Sequence, residues 1–212
     1  MLDELDRELE RRGHRFVRYA DDCNIYVRSA RAGQRVMESV TRYIVERLKL
    51  KANGEKSAVA RPQERKFLGF SFTWDWEPKR RIAPKAKVRL KRRVRELMWR
   101  TRGVSVEEMV GELASYLRGW RGYFGFCQTP WVLIHLDSWI RRRLRSVLWA
   151  QWKHVARRRA ELERRGVSRT WAKKTACSNL GPWRLSHDPS ICHAVPNAFF
   201  ETLGLPRLAE GV

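Results

Sequence analysis

Apolar residues recur along the chain at two different periods, and each change of period marks a change of element. Leu2, Leu5 and Leu9 lie three and four apart among charged residues, which predicts a surface helix over residues 2 to 12 ended by Gly13. The spacing then drops to two. Phe16-Val17-Arg18-Tyr19 and Asn24-Ile25-Tyr26-Val27 are rich in β-formers and flank Ala20-Asp21-Asp22, so they predict two antiparallel strands with the carboxylates at the bend. Val36, Val40, Ile44 and Leu48 return to the helical period, and the polar stretch Lys51 to Ser57 closes that second helix. Phe67 to Trp74 and Arg81-Ile82-Ala83 read as short strands around a turn at Pro78.

The second half is helical. Leu90, Val94, Leu97 and Met98 define one apolar face in a segment, Lys79 to Gly103, that holds twelve Lys or Arg and one acid, Glu96. Ser105-Val106-Glu107-Glu108 is a capping box opening a helix whose stripe is Met109, Val110, Leu113, Leu117, Trp120 and Phe124. Leu133, Leu136, Ile140, Leu144, Val147 and Val155 predict one further long helix. From about Gly166 the mixture of Gly, Pro, Trp and Ser allows only a short helix around Trp171 to Cys177. The pattern as a whole predicts an α+β chain without internal repeats.

Charge changes this picture most. The 212 residues carry 45 Lys and Arg against 23 Asp and Glu, a formal charge of +22. That excess points to a polyanionic partner, with nucleic acid ahead of a membrane surface. No apolar run approaches the roughly 20 residues of a membrane span, and the arginines surround the helices too completely to leave a lipid face. The four cysteines, Cys23, Cys127, Cys177 and Cys192, form no C-x-x-C pair, so the expectation is reduced thiols in a cytoplasmic setting. His187, Cys192, His193 and Cys177 match no familiar metal spacing. The acidic, amphipathic N-terminus is unlike a signal or transit peptide.

Against this basic background stands Asp21-Asp22. Neighbouring strand residues face opposite sides, so two adjacent carboxylates address one site only where the chain turns. Hard oxygen donors held together suit Mg²⁺, with substrate phosphates as the remaining ligands, and a metal pair of that kind serves phosphoryl transfer. The alternative for the dipeptide alone is a solvated turn.

The string Phe16 to Asp22, followed by Asn24-Ile25-Tyr26-Val27, resembles the Tyr-x-Asp-Asp hairpin of reverse transcriptases, in the version carried by group II intron-encoded proteins. Leu48-Lys49-Leu50 with Asn53-Gly54-Glu55-Lys56-Ser57, then Phe67-Leu68-Gly69-Phe70, are similar to the next palm block and the primer-grip block. Leu117-Arg118-Gly119-Trp120-Arg121-Gly122-Tyr123-Phe124 is similar to the Gly-Trp-x-x-Tyr-Phe signature of the maturase-specific region, and Gly181-Pro182-Trp183 with Leu203-Gly204-Leu205 is also family-like. The resemblance implies a partial right-hand polymerase palm over residues 1–83, a helical thumb and maturase region over 84–165, and a maturase-like tail over 166–212.

It also implies roles. Asp21 and Asp22 become the metal-binding catalytic carboxylates, Tyr19 and Ala20 the floor beneath the primer end, Lys56 a contact to the incoming nucleotide, and Phe67, Leu68 and Gly69 the primer grip. Lys56 as a solvated turn lysine and Phe67–Gly69 as a core strand remain the plainer alternatives. For intron RNA the resemblance and the charge together nominate Arg80, Arg81, Lys85, Lys87, Lys91, Arg92, Arg118, Trp120, Arg121, Tyr123, Arg141 and Arg142. Arginine arrays neutralise phosphate, while Trp99, Trp120, Tyr123, Trp149 and Trp152 are candidates for stacking on unpaired bases. Core packing is the alternative for Trp120 and Phe124.

One departure matters. The family's palm takes another catalytic Asp from an earlier strand, and Asp3, Glu4, Asp6, Glu8 and Glu10 have no strand-like context that would replace it. The reading is therefore a C-terminal portion of a prokaryotic, ribonucleoprotein-associated reverse transcriptase. It is expected to be inactive in polymerisation by itself, with intron RNA, primer-template and a separate N-terminal half as partners. A non-catalytic splicing cofactor and a decayed remnant remain open, and the incomplete palm is expected to self-associate through an exposed apolar sheet face. No Cys/His endonuclease module is visible.

Overall fold

The computed structural model describes residues 2–99 and 103–209. The chain divides into two compact units, Met1–Pro78 and Lys79–Val212.

In the first unit, α1 (Leu2–Arg11) buries Leu5 and Leu9 and ends in a Schellman closure. Gly13, at φ +70°, donates its N–H to Glu10 O at 2.8 Å, and His14 N–H reaches Leu9 O at 3.0 Å. Strands β1 (Arg15–Tyr19) and β2 (Asp22–Tyr26) pair antiparallel from Arg15↔Tyr26 to Tyr19↔Asp22, leaving only Ala20 and Asp21 in the loop. Asp22 is thus a strand residue, one position further into the ladder than its expected place in the bend.

That register decides the faces. Phe16, Cys23 and Ile25 pack on a cluster built from Leu5, Leu9 and Leu48, joined by Val40, Tyr43, Ile44 and Leu50. The opposite face, Val17, Tyr19, Asp22 and Tyr26, is exposed. Helix α2 (Ala30–Glu46) begins where Ser29 Oγ accepts from Ala32 N–H, at 3.2 Å. The Phe67 to Trp74 run contributes only a three-residue strand, β3 (Phe70–Phe72). Leu68 and Gly69 in front of it take φ +50° and +78°. Two positive φ values in succession make a tight reversal, closed by reciprocal 2.9 Å bonds between Phe67 and Phe70.

The second unit opens with β4 (Arg80–Ile82), then α3 (Pro84–Leu97), α4 (Val106–Phe124) and α5 (Pro130–Gln151). Pro84 and Pro130 stand at helix starts, where a missing N–H costs nothing. Ser105 Oγ accepts from Glu108 N–H at 3.1 Å, the N-cap half of the expected capping box. Leu90, Val94, Met109, Leu113, Leu117, Leu133, Ile140 and Leu144 are buried and form the centre of this helical layer.

The single long helix expected through Val155 is instead two. Trp152 turns into the core and Lys153 takes φ +27°, so α5 stops and α6 (Val155–Arg164) starts anew. Val155 is exposed and does not extend the apolar stripe. The tail is more ordered than its composition predicts. It holds α7 (Arg169–Ala176), α8 (Pro182–Leu185), α9 (Pro189–Ala194) and α10 (Asn197–Thr202), and it buries Ile191, Val195, Phe200, Leu205 and Leu208. Among the described residues, no helix is long and apolar enough to cross a membrane.

Candidate nucleic-acid interface

At the hairpin tip, Tyr19 and Asp22 are cross-strand partners on the exposed face, with Asp21 in the loop beside them. Ala20 between them holds φ +52°, a left-handed conformation that costs an L-residue roughly 1–2 kcal/mol. The brace for this turn comes from Arg18, whose importance the sequence does not signal. Its Nη1 donates to Ala20 O at 2.9 Å, while Nε donates to Asp6 Oδ1 at 2.7 Å and Nη2 to Asp6 Oδ2. The fork ties α1 to the carboxylate-bearing loop.

The hydrogen bonds from Arg18 hold the Asp6 carboxyl below its ordinary 3.8, with burial opposing them. Bonds from Arg11 and Arg12 lower Glu8 from 4.5 to about 2. Both groups bind protons more weakly folded than unfolded, so their stabilisation is complete above the unfolded values and fades as pH falls below them. Docking of α1 on the hairpin through Asp6 and Arg18 is accordingly expected to loosen as pH falls below about 3.8, while the Glu8 pairs at the end of α1 are lost between about 4.5 and 2. The Arg18 Nε–H resonance should exchange faster only below the ordinary Asp6 value of 3.8, and its loss well above that pH would contradict the brace.

The carboxylates are the right donors for Mg²⁺, but two do not make a cage. Among the described residues there is no group of three Asp, Glu, His or Cys able to hold a metal ion, so the hairpin by itself does not fit one. The expected nucleotide contact, Lys56, sits on a separate exposed turn where Asn53 Oδ1 accepts its N–H at 3.1 Å and Arg65 donates to its carbonyl at 2.7 Å. Leu68 and Gly69 form the reversal described above.

In the second unit the twelve nominated residues separate into two sets. Arg141 is buried, with Nη1 on Asp137 Oδ1 at 2.7 Å and Nη2 3.6 Å from Glu201. Arg142 lies over the Trp183 ring at 4.1 Å and donates to Trp183 O and Ser186 Oγ. Arg80 stacks on Phe126 at 4.5 Å and donates to Phe126 O, while its own N–H is held by Gln128. Trp120 packs inside against Phe124, as its place on the apolar stripe allows. All four have partners within the fold, Arg141 and Trp120 buried and Arg80 and Arg142 partly so. Trp149 and Trp152 are also buried, edge to face at 5.8 Å.

The other set faces outward. Lys85, Arg92, Arg118 and Tyr123 are exposed; Arg81, Lys87, Lys91 and Arg121 are partly so. Lys91 and Arg95 approach Trp139 at 5.5 Å. Burial, with the positive charges of Arg81 and Lys91, holds Lys87 below the ordinary lysine value, the mark of a cation among cations. Trp99 remains available for stacking at 60% exposure.

A braced carboxylate hairpin in the first unit and a cationic helical layer in the second are the two features that comparison with known families addresses. The profile described as reverse transcriptase (RNA-dependent DNA polymerase) matches residues 1–72, and the one described as group II intron, maturase-specific domain matches residues 87–166. Together the two matches support a group II intron reverse transcriptase/maturase. The reverse transcriptase match covers the hairpin and the Leu68–Gly69 reversal, and the maturase-specific match runs from α3 to the turn after α6. No curated protein matches the chain. Both matched segments imply nucleic-acid partners, intron RNA among them.

Proposed function

We propose that the chain binds group II intron RNA through the outward cations of α3 and α4, and that its hairpin is the part of a polymerase palm that faces a primer end. The observation that carries this is α3. Lys85, Lys87, Arg89, Lys91, Arg92, Arg93 and Arg95 surround a single buried seam, Ala86, Leu90, Val94 and Leu97, with Glu96 as the one acid. So dense a positive surface is repulsive unless phosphates neutralise it.

In this reading Asp21 and Asp22 contribute to a Mg²⁺ site whose further donors come from nucleotide phosphates and from a polypeptide carrying the remaining palm, such as a separate N-terminal half. Lys56 and the Leu68–Gly69 turn, with Tyr19 and Ala20, lie toward nucleotide and primer. Deoxynucleotide addition then belongs to the completed polymerase. A second reading, a splicing cofactor without polymerase activity, rests on the maturase-specific match over residues 87–166.

Primer extension on an RNA template, with RNA binding read in the same tubes, tests both. The chain by itself is expected to bind structured intron RNA, to extend no primer, and to bind equally well as Asp21→Ala. Extension abolished by that substitution would overturn the incomplete-site argument. Equal, salt-labile binding to duplex DNA and intron RNA would overturn the RNA assignment.

A further inference from the structure

The corner between α6 and α7 carries a second basic surface, and α7 begins beyond the residues matched as maturase-specific domain. Helix α6 is closed by Gly166 at φ +87°, with Gly166 N–H on Glu163 O and Val167 N–H on Leu162 O, both at 3.0 Å. The chain re-enters helix at Arg169. Ala172, Thr175 and Ala176 face inward, and Thr175 Oγ1 donates to Ser190 Oγ at 3.2 Å, which fixes α7 against α9.

The opposite side of α7 is therefore outward. Arg169, Thr170, Lys173, Lys174 and Cys177, with Arg159 of α6, line an open cleft of about 440 Å³. Arg159 is paired with Glu163 at 2.7 Å, whereas Arg169 and Lys173 have no ion-pair partner among the described residues. Trp171, outside the residues that line the cleft, is 56% exposed, and its ring centre lies 4.7 Å from Nζ of Lys174, which does line it.

Cations without acids accept phosphate oxygens, and an exposed indole offers a face to a base. The cleft is too open to enclose a small anion. A duplex keeps its base faces stacked internally and would leave Trp171 unused. We propose that the α6–α7 corner binds an unpaired segment of RNA, its phosphates on Arg169 and Lys173 and one unstacked base on Trp171. The choice of RNA rests on the intron-RNA reading given above.

The test uses the full chain and a short fluorescent oligouridylate. Trp171→Ala is expected to weaken binding about tenfold, within the range for loss of one stacked base, while leaving the salt dependence unchanged. Arg169→Gln with Lys173→Gln is expected to flatten the slope of log K against log salt by about 1.4, at roughly 0.7 per single-strand phosphate contact. Cys177, the one exposed cysteine among the four, supplies an independent readout, because bound oligouridylate should slow its alkylation by iodoacetamide. Unchanged binding in both variants, or protection of Cys177 by duplex DNA but not by oligouridylate, would overturn the proposal. If intron RNA fails to bind while oligouridylate still protects Cys177, the corner stands and the intron-RNA reading falls. If intron RNA binds through α3 while Cys177 stays fully reactive in the presence of oligouridylate, the intron-RNA reading stands and the corner falls.

Discussion

Replacing Arg141 by alanine is expected to destabilise the helical unit by about 3–5 kcal/mol, the range for removing one partner of a buried ion pair. The Arg141 side chain is only 4% exposed, and it joins Asp137, one turn earlier on α5, to Glu201 on α10. Asp137 Oδ2 also accepts the Leu208 N–H at 3.0 Å, so the same carboxylate ties α5 to the chain end. Without the guanidinium, Asp137 keeps a charge in a half-closed site with only a backbone donor. The substitution should therefore release the tail as well as lower the midpoint. Eight of the ten tryptophans lie in the second unit, Trp74 and Trp76 being the exceptions, so urea unfolding followed by tryptophan emission reports chiefly on it. A change below about 1 kcal/mol would show that the pair is mere surface electrostatics. Arg141→Met combined with Asp137→Leu should recover most of the loss, since it removes both charges together.

Arg141 also shows what the sequence can and cannot disclose. Positions that repeat are legible. Leu90, Val94, Leu113, Leu117, Leu133 and Ile140 fall at helical spacing and are buried, and Ser105 with Glu108 marks a helix start to the residue. The hairpin is legible from β-formers around a turn, although its register is not, because Ala20 adopts a left-handed φ that composition does not announce. A buried arginine looks the same in sequence as an exposed one. Arg141, Arg142 and Arg80 resemble phosphate contacts because they stand among arginines, whereas their partners are Asp137, Glu201, Trp183 and Phe126, up to sixty residues away in the chain.

The tail is illegible for a different reason. Its helices α8, α9 and α10 are four to six residues long, shorter than two helical turns, so no period can appear. Order there comes from tertiary anchors. Arg145 Nε donates to Val195 O at 2.8 Å and its Nη2 to Asn197 Oδ1, and Arg142 holds the α8 turn. These arginines are committed to packing, whereas the cations of α3 surround a single buried seam and form the array proposed above to meet RNA.

Within α3 the cations are not equivalent, and the difference sets the functional substitution with the largest expected effect. Lys85, Arg89 and Arg92 follow one another at spacings of four and three, forming one exposed stripe. Lys87 and Lys91 form another that is partly covered, with Lys91 over Trp139. Neutralising the first stripe as K85Q/R89Q/R92Q removes three potential phosphate contacts without disturbing Ala86, Leu90, Val94 or Leu97. The helix should persist, because glutamine is nearly as good a helix former as the residues it replaces. At about 0.7 per contact on single strands and 0.9 on duplexes, the slope of log K for intron RNA against log salt should flatten by roughly 2–3. Between about 50 and 200 mM salt those three contacts carry roughly 20- to 40-fold in affinity, so the parent should lose that much more binding over the interval than the triple variant. Arg141→Ala, assayed where it remains folded, should leave the slope unchanged, since its guanidinium does not reach solvent. Identical slopes for parent and triple variant would place the RNA elsewhere on the chain and remove α3 from the interface.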